Sequence, residues 1–343
     1  MESSPTPDDP VEELLTSYNE LNSSRIDELN GEPSPLEFMR YVSRNTPFVV
    51  RGAACDWTAT RTWDAAYLRS TLAGHKVNVA VTPVGNADAS TADGDGRLVF
   101  AKPHEEDQDF GEFVDHLIQQ EQGVTSQGSD EVRYAQTQND NLRHEYITLF
   151  SQVEKTIPFA RIALERDPDA INLWIGNSRS VTALHRDNYE NVYVQIAGRK
   201  HFVLLSPLFQ PCVNEQDLLP ATYIRHQDEG QAGKGERRGA SLVLRMDADV
   251  ESEEAPAKVP FATWDPDRPK ERATAYSHLA DPIRVTLEPG DMLYLPAMWY
   301  HKVSQSSSED GICVAVNYWY DMDFSGPLYS LCSFVRNVSL PKG

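Results

Sequence analysis

The sequence contains few cysteines and no cysteine pair at metal-binding or redox spacing. Only 4 of its 343 residues are cysteine, and they lie far apart, at Cys55, Cys212, Cys313 and Cys332. A disulfide-dependent domain and a zinc site built from thiolates both need closely spaced cysteines. The pattern therefore argues against both classes and is typical of a chain that folds in a reducing compartment.

Positive charge is also scarce. The chain has 31 lysine and arginine residues against 52 aspartate and glutamate residues, a formal net charge of −21. Binding to phosphate backbones needs a concentrated basic surface, so this balance argues against nucleic acid as a partner. A negative surface would instead attract basic protein partners. Apolar residues make up 40% of the chain, which is enough for a buried core and excludes a disordered acidic chain.

No apolar run approaches the roughly 18 residues that a membrane-spanning helix needs. Residues 1–13 are acidic and contain several prolines, without the apolar segment of a secretory signal. No basic cluster of the nuclear-import type is present. We therefore expect a protein without membrane association that is cytoplasmic, nuclear or both.

Helix-start patterns mark the N-terminal part. A proline directly follows a capping residue at Asp9 and again at Ser34, and Glu37 stands three residues after that serine. Residues 1–33 are predicted to form an acidic, helical N-terminal extension. A domain over residues 34–323 is predicted to follow.

Short apolar runs bounded by turn residues dominate from residue 171 onward. Seven such runs fall within about 150 residues, a density typical of a β-barrel or sandwich. We predict a mainly β domain with helical additions. The predicted strands cover residues 171–175, 180–185, 191–197, 200–206, 283–287, 292–296 and 312–318.

Two segments depart from this regular pattern. Residues 225–258 contain four glycines and a dense run of acids, which predicts a solvated, charged insertion loop. Residues 324–343 have apolar positions at irregular helical spacing. They predict a C-terminal helical segment that packs on the barrel or on a second subunit, so a homodimer is one expected assembly.

Three residues suggest a metal centre. His185 and Asp187 are two apart at the end of a predicted strand, so their side chains share one face. An HxD pair alone is usually a surface or structural feature. A third ligand, His301, follows a strand–turn–strand unit and could approach them, because strands distant in sequence become neighbours in a barrel. Two neutral imidazoles and a carboxylate form the facial triad of non-haem Fe(II) oxygenases.

Lys200 is the second unusual feature, because it stands inside an apolar strand. A buried ammonium group is costly unless its charge meets an anion. A dicarboxylate co-substrate would supply that anion.

Together these residues carry a family resemblance. The runs are residues 181–193 (VTALHRDNYENVY), 198–202 (GRKHF), 289–301 (PGDMLYLPAMWYH) and 316–320 (VNYWY), with 46–53 (TPFVVRGA), 79–83 (VAVTP) and 87–89 (ADA). The chain resembles the JmjC, or cupin-like, 2-oxoglutarate oxygenases, and within them the branch of bifunctional peptidases and (3S)-lysyl hydroxylases. The likeness covers about residues 34–323. The N-terminal tip and residues 225–258 depart from it.

The resemblance implies a fold, co-substrates and roles for eight residues. The fold would be a double-stranded β-helix, the jelly-roll barrel of cupins, and the reaction would use Fe(II), 2-oxoglutarate and O2. The family pattern makes His185, Asp187 and His301 the iron ligands and Lys200 the partner of the distal 2-oxoglutarate carboxylate, with Thr182 and Tyr134 assisting Lys200 and with Asn191 and Asn317 near the co-substrate and metal.

Several of these residues have a plain alternative interpretation. Tyr134 could be a strand tyrosine that hydrogen-bonds in the core. Thr182 could be an ordinary β-branched strand residue, and Asn191 could cap a turn.

The implied activity is hydroxylation of a lysine side chain in a protein substrate, with succinate and CO2 as co-products. Family analogy points to translation-associated, developmentally regulated GTP-binding proteins as substrates. The iron site alone does not distinguish this activity from demethylation of N-methyl-lysine or N-methyl-arginine. A histone-tail peptidase is a further alternative, although no nucleophile–base pair or HExxH helix supports it. A non-catalytic cupin-type binding module would predict a decayed site, yet the triad and Lys200 are intact.

Overall fold

A computed structural model describes residues 9–124, 130–225, 241–247 and 257–339. The α-helices in these ranges, numbered in chain order, are α1 (Pro10–Leu21), α2 (Pro35–Arg44), α3 (Thr58–Thr62), α4 (Ala65–Thr71), α5 (Phe110–Glu121), α6 (Ile147–Phe150), α7 (Pro158–Leu164) and α8 (Pro327–Ser339). The strands are β1 (Asp27–Leu29), β2 (Phe48–Val50), β3 (Lys76–Thr82), β4 (Ala89–Ala92), β5 (Leu98–Lys102), β6 (His104–Asp109), β7 (Val132–Tyr134), β8 (Ala170–Gly176), β9 (Thr182–His185), β10 (Tyr189–Ala197), β11 (Arg199–Leu205), β12 (Glu215–Arg225), β13 (Leu242–Met246), β14 (Val259–Ala262), β15 (Ile283–Leu287), β16 (Met292–Leu295), β17 (Tyr300–Ser306) and β18 (Cys313–Asp321).

Eight of these strands form two antiparallel sheets. The major sheet has the order β16-β10-β18-β8 and is extended at one edge by β2 and β1. The minor sheet has the order β15-β11-β17-β9. Along the chain, successive strands alternate between the sheets except at the step from β11 to β15. This is the topology of a jelly roll, and it confirms the predicted mainly β fold with helical additions.

The major sheet is buried on both faces. In β10, Val192 and Val194 pack into the core beneath the helices, whereas Tyr193 packs into a second core with Phe202 and Leu204 of the minor sheet. Alternate residues of a strand point to opposite faces. A strand covered on both faces therefore reads as a nearly continuous apolar run. For this reason the major-sheet strands could be found from the sequence.

Both predicted helix starts are confirmed. The Asp9 carboxylate accepts a hydrogen bond from the Val11 amide at 2.9 Å, and the Ser34 hydroxyl accepts one from the Glu37 amide at 3.2 Å. A proline follows each cap at the first turn. Helix α1 packs on the minor-sheet side of the molecule through Val11 and Leu15, which are buried in a cluster with residues of β9 and β11.

The minor sheet adds a strand, β17, that the apolar pattern does not predict. His301 lies inside this strand rather than in a segment after the strand–turn–strand unit. The outward-facing positions Lys302, Ser304 and Ser306 are partly exposed, and two of the inward positions are the polar residues His301 and Gln305. With one face toward solvent and polar groups inside, β17 lacks the apolar run by which the other strands were recognised.

Part of the predicted insertion loop is sheet. Strand β13 lies within residues 225–258 and pairs with β12, which also pairs with β5 and β14. The structure therefore differs from the prediction of an unbroken loop. Burial in β13 alternates between partly exposed and exposed residues, and none of its five residues is buried, so the apolar pattern of a buried strand is missing. Most of the acidic run that motivated the prediction, residues 248–254, lies outside the described residues.

Helix α8 confirms the helical prediction for the C-terminal segment as far as Ser339. It buries Cys332 and Val335 against the rest of the chain. The opposite side exposes Phe334, Leu331 and Tyr329, with Phe334 62% exposed. Such an apolar face is compatible with the expected homodimer, which stays a prediction.

No helix in the described ranges is long and apolar enough to cross a membrane. All four cysteines are free, and only Cys55 is exposed. This agrees with the expectation that neither disulfides nor thiolate clusters hold the fold together.

Candidate active site

A narrow cavity lies between the two sheets and opens to solvent. All eight side chains singled out from the sequence line it. Its walls are Tyr134, Gln138, Trp174, Thr182, His185, Asp187, Asn191, Tyr193, Lys200, Phe202, His301, Val303, Asn317 and Trp319. The predicted site residues are thus brought together from six strands and the loop that follows β9.

The three proposed metal ligands converge at one end of the cavity. His185 and His301 are direct cross-strand partners in β9 and β17, and their ring centroids are 4.1 Å apart. The Asp187 carboxylate lies 3.6 Å from Nε2 of each histidine. One ligand atom from each residue lies within 4.8 Å of the others. This spacing allows all three to bind one metal ion.

Backbone groups hold the three ligands in position. Nδ1 of His185 lies 2.8 Å from the Ala183 carbonyl, and Nδ1 of His301 lies 3.0 Å from the Trp299 carbonyl. Because a carbonyl only accepts, each Nδ1 carries the proton and each Nε2 is left with a free lone pair. Asp187 lies beyond the end of β9, where its carbonyl accepts a hydrogen bond from the Met298 amide at 2.7 Å.

Met298 itself is a strained position that the sequence did not reveal. Its φ angle is +67°, in the left-handed region that few residues other than glycine and asparagine adopt. Non-glycine residues held in this region are often found at functional sites. Here the conformation directs the Met298 amide toward the loop that carries Asp187.

The electrostatic environment of His185, Asp187 and His301 favours binding of a cation. Burial, together with the neighbouring His185, lowers the pKa of His301 to about 4, so this imidazole is neutral at neutral pH. Burial opposes charge on His185 as well, but the adjacent Asp187 carboxylate outweighs it and raises the pKa of His185. Asp187 keeps its charge, because His185 offsets the effect of burial and lowers the pKa of the carboxyl group. Metal binding needs the neutral form of His185, so the affinity of the cluster for a metal ion should fall at low pH.

Lys200 also lines the cavity between the two sheets. It is 2% exposed, and its ammonium group donates one hydrogen bond, to Tyr134 Oη at 2.8 Å. Burial lowers the pKa of Lys200 to about 8. No carboxylate among the described residues forms an ion pair with it. A buried cation without an anion is unfavourable, and the open space in front of it suits an anionic ligand.

Tyr134 reaches Lys200 from β7 because of a glycine on the adjacent strand. A Cβ atom at Gly176 of β8 would lie 2.8 Å from the Tyr134 ring and 2.6 Å from the Gln305 amide. Only glycine allows this close approach. The buried hydrogen bond to Lys200 is compatible with both interpretations of Tyr134, as a site residue and as a strand tyrosine that hydrogen-bonds in the core. The site role stays a prediction.

The two asparagines form a hydrogen-bonded chain across the major sheet. The Trp174 indole donates to Asn317 Oδ1 at 2.8 Å, and Asn317 Nδ2 donates to Asn191 Oδ1 at 3.1 Å. These bonds fix the orientation of both amides and leave the Asn191 amide nitrogen as a donor for a ligand in the cavity. Asn191 lies inside β10 and does not cap a turn, whereas the orienting role of both asparagines stays a prediction.

Thr182 lies in the cavity wall at the start of β9, opposite Val303 of β17. No side-chain hydrogen bond of Thr182 is present within the described part of the chain, so its hydroxyl is available to a ligand. Both of its interpretations, as a co-substrate contact and as a plain strand residue, remain open.

The cavity includes residues that the sequence did not single out as contacts. Trp319 lines the cavity while stacking on Tyr189. Alternation from Asn317 would have placed it on the same face. No sequence pattern places Gln138 and Trp174 in the cavity, because their position there depends on how the sheets pack.

Comparisons with known proteins agree with this architecture. Residues 33–326 match the family model described as a cupin-like domain. Relatives along nearly the whole chain carry JmjC names. This chain belongs to the cupin-like JmjC family.

Three relatives illustrate the range of names in this family. The chain is 36% identical to "Lysine-specific demethylase JMJ32" from Arabidopsis thaliana, covering 96% of this chain and 91% of the relative. It is 37% identical to the human "Bifunctional peptidase and (3S)-lysyl hydroxylase JMJD7", covering 86% and 84%. It is 31% identical to "JmjC domain-containing protein E" from Dictyostelium discoideum, covering 90% and 87%. The first two names differ in the reaction and share lysine as its target.

The residues present fit the cofactors on which JmjC enzymes generally depend, Fe(II) and 2-oxoglutarate. His185, Asp187 and His301 offer the two-imidazole, one-carboxylate set of non-haem iron oxygenases. Lys200 is a buried cation that lacks an anionic partner in the described part of the chain. Their assignment as ligands stays a prediction.

Proposed function

We propose that this protein is an Fe(II)- and 2-oxoglutarate-dependent oxygenase that hydroxylates a lysine side chain of a protein substrate. The observation that carries the proposal is the placement of Lys200, a buried ammonium group that forms no ion pair with any described residue, in the same cavity as the His185–Asp187–His301 cluster. A dicarboxylate in this cavity could contact Lys200 with one carboxylate and bind a metal ion with its other end.

The chain's own residues have separate tasks in this proposal. His185, Asp187 and His301 would hold Fe(II), with both imidazoles neutral and oriented by backbone carbonyls. Lys200 would bind the distal carboxylate, with Tyr134 and Thr182 beside it, and Asn191 and Asn317 would orient the co-substrate by hydrogen bonds. Iron with 2-oxoglutarate and O2 would supply the oxidising chemistry and release succinate and CO2.

Lysine is proposed as the target for two reasons. The demethylase and the hydroxylase activities named among the relatives both act on lysine, and the net charge of −21 favours a basic substrate. By family analogy, we propose a translation-associated GTP-binding protein of the developmentally regulated class as the substrate.

Mass spectrometry tests the proposal. Lysine-containing peptides of such GTP-binding proteins are incubated under air with the protein, Fe(II) and 2-oxoglutarate, and Asp187→Ala is the control. We expect the mass of one oxygen atom on lysine, absent with the control. Turnover of 2-oxoglutarate without this product would support oxygenase activity and exclude these GTP-binding proteins as substrates. No turnover would favour a non-catalytic binding module.

Demethylation is the second candidate, favoured by the name of the Arabidopsis relative. Formaldehyde release from N-methyl-lysine or N-methyl-arginine peptides, without a stable hydroxylated product, would establish it in place of hydroxylation. Peptidase activity has less support, because no serine or cysteine is among the described residues that line the cavity. Intact histone-tail peptides after incubation with the metal-loaded protein would dismiss it.

A further inference from the structure

A side groove adjoins the cavity at His185. Its wall includes Asp88 and Gln136, and it shares Thr182, His185 and Gln138 with the cavity between the sheets. A substrate side chain that enters the groove would lie beside His185, one of the proposed metal ligands.

Asp88 places a carboxylate in this groove. It is half-buried, and Gln136 Nε2 donates a hydrogen bond to its Oδ2 at 3.0 Å, which fixes the orientation of the carboxylate. Burial raises the pKa of Asp88, as expected for an acid whose charge is poorly compensated.

The basic side chains near Asp88 are engaged elsewhere. Lys102 is close enough for its charge to act on Asp88, but its ammonium group lies 2.6 Å from Asp247. Arg186 lines the groove, but its guanidinium is 3.6 Å from Glu215. No lysine or arginine among the described residues forms an ion pair with Asp88.

Asp88 is therefore a partly buried, oriented carboxylate that forms no ion pair with lysine or arginine within the described residues. It lies in the wall of a groove that also includes His185. Such a group favours a cationic ligand.

We propose that Asp88 binds the ammonium group of the substrate lysine side chain. The inference rests on the proposed function for the identity of the substrate residue, and it goes further by naming the group that recognises it. The backbone of Asp88 has a φ of +50°, a conformation that aspartate and asparagine tolerate better than most residues. Asp88→Asn therefore removes the charge without changing the backbone preference.

The test compares two small probes by NMR titration. Nα-acetyl-lysine methylamide carries the ammonium group, and Nα-acetyl-norleucine methylamide has the same carbon chain without it. Both are titrated into the full-length protein, with and without Mn(II) and 2-oxoglutarate under nitrogen. Glu105→Gln is the matched control, because Glu105 is an exposed acid whose charge also acts on Asp88 but which does not line the groove.

We expect wild-type protein and Glu105→Gln to bind the lysine probe at least about tenfold more tightly than the norleucine probe, as a charge-assisted hydrogen bond would give. Asp88→Asn should bind the two probes equally while keeping the wild-type unfolding temperature. The proposal is overturned if wild-type protein shows no preference for lysine, including the case in which neither probe binds, or if Asp88→Asn keeps the preference. If the protein prefers the lysine probe but neither binds the metal nor turns over 2-oxoglutarate, the proposed oxygenase activity is contradicted and the proposed lysine-binding site is supported.

Discussion

Replacing Lys200 with methionine should have opposite effects on folding and on co-substrate binding. Burial lowers the pKa of Lys200 from 10.5 to about 8, and one pKa unit corresponds to about 1.4 kcal/mol. The charged ammonium group therefore costs the ligand-free protein about 3 kcal/mol at neutral pH. Lys200→Met removes this cost and one hydrogen bond to Tyr134, which is worth about 1 kcal/mol. The free energy of unfolding should rise by about 2 kcal/mol.

The pH dependence of stability provides an independent check. Because the pKa of Lys200 is lower in the folded protein, the unfolded chain binds more protons between about pH 8 and pH 10.5. Stability from this group should therefore increase with pH across that window, and its cost is fully present below pH 8. Urea unfolding of the metal-free protein should show this increase in wild-type protein and a smaller one in Lys200→Met.

Co-substrate binding should change in the other direction. Without the ammonium group, a bound 2-oxoglutarate carboxylate would be buried without a cation, so its affinity should fall at least about tenfold. Calorimetric titration of the Mn(II)-loaded protein under nitrogen measures this loss.

Lys302→Met is the matched control for both measurements. Lys302 lies on the neighbouring strand, and its ammonium group is 2.8 Å from both Asp265 and Asp267. Its replacement should lower stability and leave 2-oxoglutarate affinity unchanged. The reasoning is refuted if Lys200→Met binds 2-oxoglutarate within about threefold of wild-type protein, or if it is less stable than Lys302→Met.

Three further predictions concern the metal, the asparagine chain and the C-terminal helix. Asp187→Ala should lose Fe(II) binding at neutral pH while remaining folded, as measured by metal analysis after gel filtration; stoichiometric iron in this variant would contradict the ligand assignment. Asn317→Ala removes the hydrogen-bond partners of the Trp174 indole and of Asn191 Oδ1, so the free energy of unfolding measured in urea should fall by about 2 kcal/mol. An unchanged unfolding midpoint would contradict a stabilising role of these hydrogen bonds. We propose that α8 forms a homodimer contact, so Phe334→Glu should convert a dimer to a monomer by light scattering, and a monomeric wild-type protein would end this proposal.

The fold could be predicted where buried positions form a recognisable pattern of apolar residues in the sequence. The major-sheet strands are apolar on both faces, and the cap at Ser34 marks α2 within a residue. Strand β17 could not be found in this way, because His301 and Gln305 occupy inward positions that are usually apolar. Polar residues that point into the barrel interrupt the apolar pattern that predicts a strand, and the same residues form the candidate site.

The candidate site shows the same division. Lys200 stood out because a lysine in an apolar strand conflicts with its surroundings, and the structure shows it buried with no ion pair to any residue of the described ranges. Asp88 and Gln138 gave no such signal, because their meaning depends on a groove formed by segments far apart in the chain. Gly176 was also missed, since only the packed structure shows that the Tyr134 ring occupies the space of its absent side chain.

Under the proposed function, the His185–Asp187–His301 cluster and Lys200 determine the class of reaction, but they do not determine its product. Two relatives of nearly equal identity to this chain carry different activities in their names, one a demethylase and the other a hydroxylase. The atom that is oxidised depends on which part of the lysine side chain lies beside the metal, and that depends on where the ammonium group is held. Asp88 lies in the groove that shares His185 with the cavity, so it is placed to set this distance. Residues of the groove, rather than the ligands of the metal, are therefore where the difference between hydroxylation and demethylation should be sought.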